Sequence, residues 1–150
     1  MPSVRRVQLP HLEPEEVSRI LSLKKSAIVA FLDAEGYPRM VPCWFFWDGR
    51  AFHAASQPDK FHVRQLERDS RASFCVEYEK YVDGEYRGNR QVKGVGNVEI
   101  LSDPEGAWLT RIREKYLGQP DQTLSAAMTE RVVLRLEPHS LTAHGGEIVR

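Results

Sequence analysis

Residues 39 to 62 read RMVPCWFFWDGRAFHAASQPDKFH. A strand with one wet face alternates apolar and polar residues, yet Met40, Val41, Pro42, Cys43, Trp44, Phe45, Phe46 and Trp47 are apolar at both parities. Both faces of this stretch therefore need cover. One face can line a barrel interior, and the other requires a partner subunit, a helix or a flat ligand. Asp48-Gly49 is turn chemistry, so a hairpin is expected, with Ala51 to Ser56 as its second arm and Phe52, Ala54 and Ser56 on one face. Pro58-Asp59-Lys60 then opens a helix expected over 59–68, with Lys60, His62 and Arg64 in its first turns. The free amides at such a helix start favour an anion, and with these side chains a phosphate suits that end.

The remainder of the chain limits what this stretch can serve. At 150 residues with 41% hydrophobic side chains, one domain spanning 1–150 with a single core is expected. Lys plus Arg number 21 and Asp plus Glu number 21, so no net field draws the chain to nucleic acid or to an anionic membrane. The apolar runs fall short of the ~20 residues of a membrane helix, and MPSVRRVQLP lacks the apolar core of a signal peptide. A cytoplasmic protein is the expectation. Cys43 and Cys75 lie within apolar strands, which suits buried thiols better than a disulfide framework.

Reading from the N-terminus, Pro14 with Glu15 and Glu16 starts a helix expected over 13–24, with Val17, Ile20, Leu21 and Lys24 on one face. Ala27 to Asp33 is an apolar strand that turns at Glu35-Gly36-Tyr37-Pro38 into the strand from Arg39. Ala72 to Lys80 alternates, placing Phe74, Val76 and Tyr78 opposite Ser73, Cys75, Glu77 and Glu79. After the turn Val82-Asp83-Gly84-Glu85, a strand from about Arg90 to Leu101 returns, with Gly94 and Gly96 at alternate positions. Such glycines either admit something close against the backbone or mark a bulge. Ser102-Asp103-Pro104-Glu105 starts a helix over 103–117 on which Trp108, Leu109, Ile112, Lys115 and Tyr116 share a face, and a short helical piece is expected near 124–129. Strands follow at Arg131 to Leu136 and, beyond Pro138, near Leu141 to His144. Short strands at hairpin spacing with three helices predict a mainly β fold, an antiparallel barrel with flanking helices and no parallel sheet. No dinucleotide fingerprint, P-loop, zinc signature or nucleophile elbow occurs, and His53, His139 and His144 lack metal-ligand spacing.

Several of these features recur together in one family. They are the Pro14-Glu15-Glu16 helix, Asp33-Ala34-Glu35-Gly36 before Pro38, and Arg39-Met40-Val41-Pro42 before Trp44-Phe45. With them come the Asp48-Gly49 turn, the basic helix ending Leu66-Glu67-Arg68-Asp69-Ser70-Arg71, and Val92-Lys93-Gly94-Val95-Gly96. In that order they resemble the pyridoxamine 5'-phosphate oxidase-like split barrels, with their deazaflavin-dependent and nitroimidazole-reductase-like branches, over roughly Glu13 to Pro138.

The resemblance implies a six- to seven-stranded split barrel and a homodimer with FMN at its interface. It implies that Arg39 and Lys60 or His62 hold the phosphate, that Val41, Pro42 and Trp44 run along the flavin ring, and that Ala55 and Ser56 approach the phosphate or ribityl chain. His62 stands where relatives carry Lys, and a neutral imidazole offers one hydrogen bond and no charge. The activity implied is an FMN-dependent oxidoreductase acting on a small aromatic or heterocyclic substrate. The variants are a reductase using the deazaflavin coenzyme F420, and a non-catalytic flavin or haem carrier or sensor with His53 or His62 as an axial ligand. The hydride chemistry would belong to the flavin, so no catalytic acid or base is nominated, and no metal site.

Overall fold

The computed structural model describes residues 5–9, 11–118 and 130–149. Among these the chain runs β1 (Arg5–Leu9), α1 (Pro14–Leu21), β2 (Ala27–Leu32), β3 (Pro38–Cys43), β4 (Phe46–Trp47), β5 (Phe52–Ser56), α2 (Phe61–Arg68), β6 (Arg71–Val82), β7 (Glu85–Ser102), α3 (Ala107–Leu117) and β8 (Val132–Val149). The strands form one sheet in the order β3-β2-β6-β7-β8-β5-β4, with β1 paired to the end of β8, and every pairing is antiparallel. No ladder joins β3 to β4, yet only Trp44 and Phe45 separate them in the chain. Three residue steps reach about 11 Å. The two ends of the sheet are thus tethered side by side, and the sheet curls into a barrel with one open seam.

Local chemistry accounts for the turns. Asp33 Oδ1 accepts from the amides of Glu35 and Tyr37, both at 2.9 Å, while Gly36 takes a positive φ of 84°. Asp48 Oδ1 does the same for Arg50 (2.8 Å) and Ala51 (2.7 Å) ahead of the β4–β5 hairpin. Asp83 and Gly84 both have positive φ, the requirement of a tight two-residue hairpin turn, and they join β6 to β7. The buried Asp103 carboxylate accepts from Ala107 and Trp108 amides at 3.0 and 3.1 Å, capping α3.

Inside the barrel, Phe45 stacks on Phe52 (4.9 Å between ring centres) and Phe52 on Phe74 (4.6 Å). Val29, Phe31, Val76, Val92, Leu134 and Leu136 surround this stack, and α1 and α2 close it with Ile20, Leu21, Val63 and Leu66. Gly94 makes the stack possible, because a Cβ there would lie 2.3 Å from Cε1 of Phe74. At Gly96 a Cβ would meet the Glu137 carbonyl at 2.9 Å, beside a register shift that leaves His139 without an opposite residue on β7. Close approach and bulge, the two readings of this glycine pair, are both realised, one at each glycine.

Several expected boundaries move. The strand from Arg39 breaks at Trp44-Phe45, which form the connector across the seam. Helices expected over 13–24, 59–68 and 103–117 are shorter at Pro14–Leu21, Phe61–Arg68 and Ala107–Leu117, since Asp59-Lys60 and Asp103 to Gly106 are spent on turns and caps. The two C-terminal strands are one, because the bulge at His139 absorbs Pro138 without ending the ladder. β1 was not foreseen, and the piece near 124–129 lies outside the described residues. Both cysteines are half-buried and free, and register puts Cys43 opposite Ala27 on the core side and Cys75 opposite Ile28 on the outer side. No described helix is long and apolar enough to cross a membrane.

Gly94→Ala is expected to destabilise the fold by about 1–3 kcal/mol, the cost of overpacking a filled core. Combined with Phe74→Leu, the loss should be markedly less than additive in urea unfolding, because the smaller side chain makes room for the added methyl. Full additivity would mean that the Phe74 ring does not fill the Gly94 site.

Candidate functional site

The seam has β3 on one side. As an end strand, β3 pairs only with β2 and turns alternate N–H and C=O groups toward the opening. Five steps from Arg39 to Trp44 span about 17 Å. Different chemistry stands at each end.

At the first end Arg39 pairs with Asp33 (Nη1 to Oδ2, 3.5 Å), and its guanidinium lies 4.9 Å from the Phe61 ring centre, at the start of α2. The amides of Phe61, His62 and Val63 precede the first helical hydrogen bond, from Arg64 N to Lys60 O at 3.1 Å. Lys60 is the exposed residue that opens the helix, and its side chain caps nothing. Ser56, at the end of β5, places Oγ 2.8 Å from His62 Nε2. Burial, and then the nearby Lys60 charge, push the His62 pKa below its ordinary value. The imidazole is therefore neutral at pH 7. Arg39, Ser56, Lys60 and His62 thus gather around one helix start.

Between the ends, register sends successive side chains of β3 to opposite faces. Val41 pairs with Val29 on the barrel side, where it lines, with Cys43, Ala55 and His62, a cavity of about 30 Å³. That leaves room for only a water or two, far less than a flavin ring needs. Pro42 pairs with Ile28 and faces outward with Met40. Val41 and Pro42 therefore cannot both present side chains to one face of a ring. A ligand along β3 would meet its backbone edge, the contact that the family resemblance implies.

The far end is aromatic. Trp44 lies parallel to Tyr116 of α3 (4.6 Å between centres, 5° between planes) and is 43% exposed. The Tyr116 hydroxyl donates to Lys25 O at 2.7 Å and accepts from Phe45 N and Lys115 Nζ, both at 3.3 Å. Lys115 Nζ also donates to Leu21 O (3.1 Å) and Phe45 O (3.0 Å) and stands 3.7 Å from the Phe45 ring centre. Burial lowers the Lys115 pKa to about 8 and raises that of Tyr116 to about 12, so at pH 7 they are an ammonium and a neutral phenol. Lys115 and Tyr116 had been read only as part of a helix face. A lysine within an apolar stripe was the available signal.

Outside the barrel, Ile28, Met40 and Val95 are exposed, Met40 to 74%, and a groove of about 550 Å³ runs beside them between Leu32, Pro38, Ser73 and His139. This is the second apolar face implied by the two-sided strand. His53 is 1% exposed, stacked on Trp108 at 3.7 Å with Asp48 3.8 Å from Nε2 and Nδ1 buried without a partner, so the ring is enclosed by protein on both sides.

Comparison with known proteins places the chain. The family model described as pyridoxamine 5'-phosphate oxidase matches residues 13–145. No curated protein sequence matches significantly. Among solved structures, a candidate 5-nitroimidazole antibiotic resistance protein from Bacteroides thetaiotaomicron superposes with a TM-score of 0.79 at 17% identity, covering 97% of this chain and 92% of that one. An F420 reductase gives a TM-score of 0.67 at 19% identity over 83% and 94% of the two chains. The FAD and haem binding protein of Mycobacterium smegmatis gives 0.68 at 14% identity over 95% and 73%. At such identities the structural likeness is one of fold. With the family model spanning nearly the whole barrel, the chain belongs to the pyridoxamine 5'-phosphate oxidase family.

Proposed function

We propose that the chain binds FMN along the seam and acts as a flavin-dependent oxidoreductase on a small aromatic or heterocyclic substrate. The observation that carries this reading is the exposed backbone edge of β3, with Arg39, Ser56, Lys60 and His62 at one end and the Trp44–Tyr116 stack at the other. Phosphate would sit at the α2 start, the ribityl chain near Ala55 and Ser56, and the ring beside the β3 backbone. When bound, the flavin supplies the hydride chemistry, and the chain orients it, sets the local charge and excludes water from one side. Arg39 is partly committed to Asp33, which leaves Lys60 as the main mobile charge for a phosphate. The neutral His62 keeps the F420 variant in play, since a cofactor whose anionic groups lie elsewhere needs no cation at that position. No observation favours a haem ligand on His53.

A second copy of the chain would cover the outer face around Ile28, Met40 and Val95, whose exposed apolar side chains stand on the same side of the sheet as the groove. The seam opens at the rim of that face, so the partner would also shield the cofactor. Light scattering at micromolar concentration is expected to give a dimer. A stable monomer that still binds FMN would remove the partner from this reading.

Three binding measurements test the phosphate end. Lys60→Ala should weaken FMN binding by about 1.5–3 kcal/mol, the worth of a charge-assisted hydrogen bond, while riboflavin, lacking the phosphate, is little affected. His62→Lys should tighten FMN at pH 8. Equal affinity of the wild type for FMN and riboflavin would show that α2 holds no phosphate.

The pH dependence has a definite sign. Because the folded-state pKa of His62 is depressed, its contribution to stability is fully present above about 6.5, the unfolded value, and declines as pH falls below it. Over the same range protonation of His62 adds a cation beside the phosphate. The phosphate itself titrates near pH ~6, so the informative quantity is the difference between wild type and His62→Gln. Relative to the variant, the wild type should lose ligand-free stability and gain FMN affinity as pH drops from 7.5 to 5.5. An unchanged difference would show that His62 stays neutral or far from the anion.

A further inference from the structure

We infer that Trp44 and Tyr116 form a prebuilt platform that takes a planar, electron-poor, uncharged or anionic aromatic ring on the outer face of Trp44. The inference rests on the seam as the binding site of the proposed function and names the class of substrate ring received at its aromatic end.

Four observations converge. The two rings are parallel to within 5° at 4.6 Å, so one face of the indole is spent on Tyr116, while the residue as a whole remains 43% exposed. Tyr116 cannot swing away freely, because its hydroxyl is held by Lys25 O, Phe45 N and Lys115 Nζ. The adjacent Phe45 is wholly buried in the core stack, which fixes the backbone from which Trp44 projects. Finally, the charged group that stands against the pair is a cation, the Lys115 ammonium 4.7 Å from the Tyr116 ring centre.

These features select a ligand class. An immobilised, half-exposed indole is a flat, electron-rich surface whose ordering cost is already met within the fold, so a guest gains stacking without having to order it. An electron-poor ring complements the negative face of indole. A cationic ring, which would otherwise also favour indole, is opposed by the Lys115 ammonium. The other tryptophans offer no such surface, since Trp47 packs on the Phe74 ring and Trp108 on His53, and both are more enclosed.

The test uses the full-length purified protein with 1,4-naphthoquinone-2-sulfonate as the probe, an electron-poor anionic ring. With fluorotryptophan incorporated, the three tryptophans give separate fluorine resonances, assigned by single substitutions. The Trp44 resonance should shift saturably with probe, while those of Trp47 and Trp108 move little. In equilibrium dialysis Trp44→Leu should weaken probe binding about tenfold, the equivalent of one good aromatic stack. Tyr116→Phe, which keeps the ring and removes the hydroxyl that anchors it, should weaken it about two- to threefold. A cationic ring of similar size, N-methylquinolinium, should bind more weakly than the probe.

A Trp44 resonance unmoved at saturating probe overturns the inference in the unmutated protein, whatever the fate of the variants. So does equal binding by wild type and a folded Trp44→Leu. FMN affinity, measured on the same samples, reports separately on the seam. Trp44-dependent probe binding without FMN binding keeps the platform and removes the flavin, whereas FMN binding with no Trp44-dependent probe binding does the reverse.

Discussion

Phe74 lies where a side chain on residue 94 would be, and the rest of the barrel is arranged on that contact. Phe52 stacks on Phe74 and Phe45 stacks on Phe52, so three rings from β6, β5 and the β3–β4 connector make one column through the core. Phe45 belongs to a connector of only two residues. Drawing its ring inward fixes the ends of β3 and β4 next to one another although no ladder joins them. The open seam is therefore held in place by the core.

The same connector explains why the aromatic end of the seam is rigid. Successive side chains in extended backbone point to opposite sides. With Phe45 committed to the interior, Trp44 is directed outward, where α3 offers Tyr116. Lys115 completes the arrangement by bonding the carbonyls of Leu21 and Phe45, which ties α1, the connector and α3 to one ammonium. Burial lowers its pKa only to about 8. At neutral pH the charge persists, and both carbonyls keep their donor.

At the other end of the seam charge is spent sparingly. Arg39 is shared with Asp33 and Phe61, His62 is neutral and bonded to Ser56, and Lys60 alone is free to swing toward an anion among the residues gathered there. An anion bound here would rely on helix amides and one mobile lysine more than on a fixed cluster of cations. The departure from the usual lysine at residue 62 is thus matched by local packing: the Phe31 ring, 6.4 Å from the imidazole, gives it an apolar neighbour.

Much of this was legible in the residues themselves. Apolar side chains at both parities from Met40 to Trp47 specify two covered faces, because pleated backbone sends alternate residues to opposite sides whatever the fold. Asp33, Asp48, Asp83 and Asp103 mark turns and a cap because their short carboxylates, or their tolerance of positive φ, satisfy local backbone geometry. Hairpin spacing and the absence of βαβ rhythm determine an antiparallel sheet. What the sequence could not specify is which ladder stays open, since pairing of distant strands depends on how the Phe45–Phe52–Phe74 column packs. Nor could it show which of Val41 and Pro42 turns to the barrel and which outward, that a bulge carries β8 past Pro138, or that Lys115 and Tyr116 reach the connector. Those outcomes arise from register and from contacts between residues some 70 positions apart, such as Phe45 with Lys115 and Tyr116. Only the assembled barrel brings such groups within hydrogen-bonding distance.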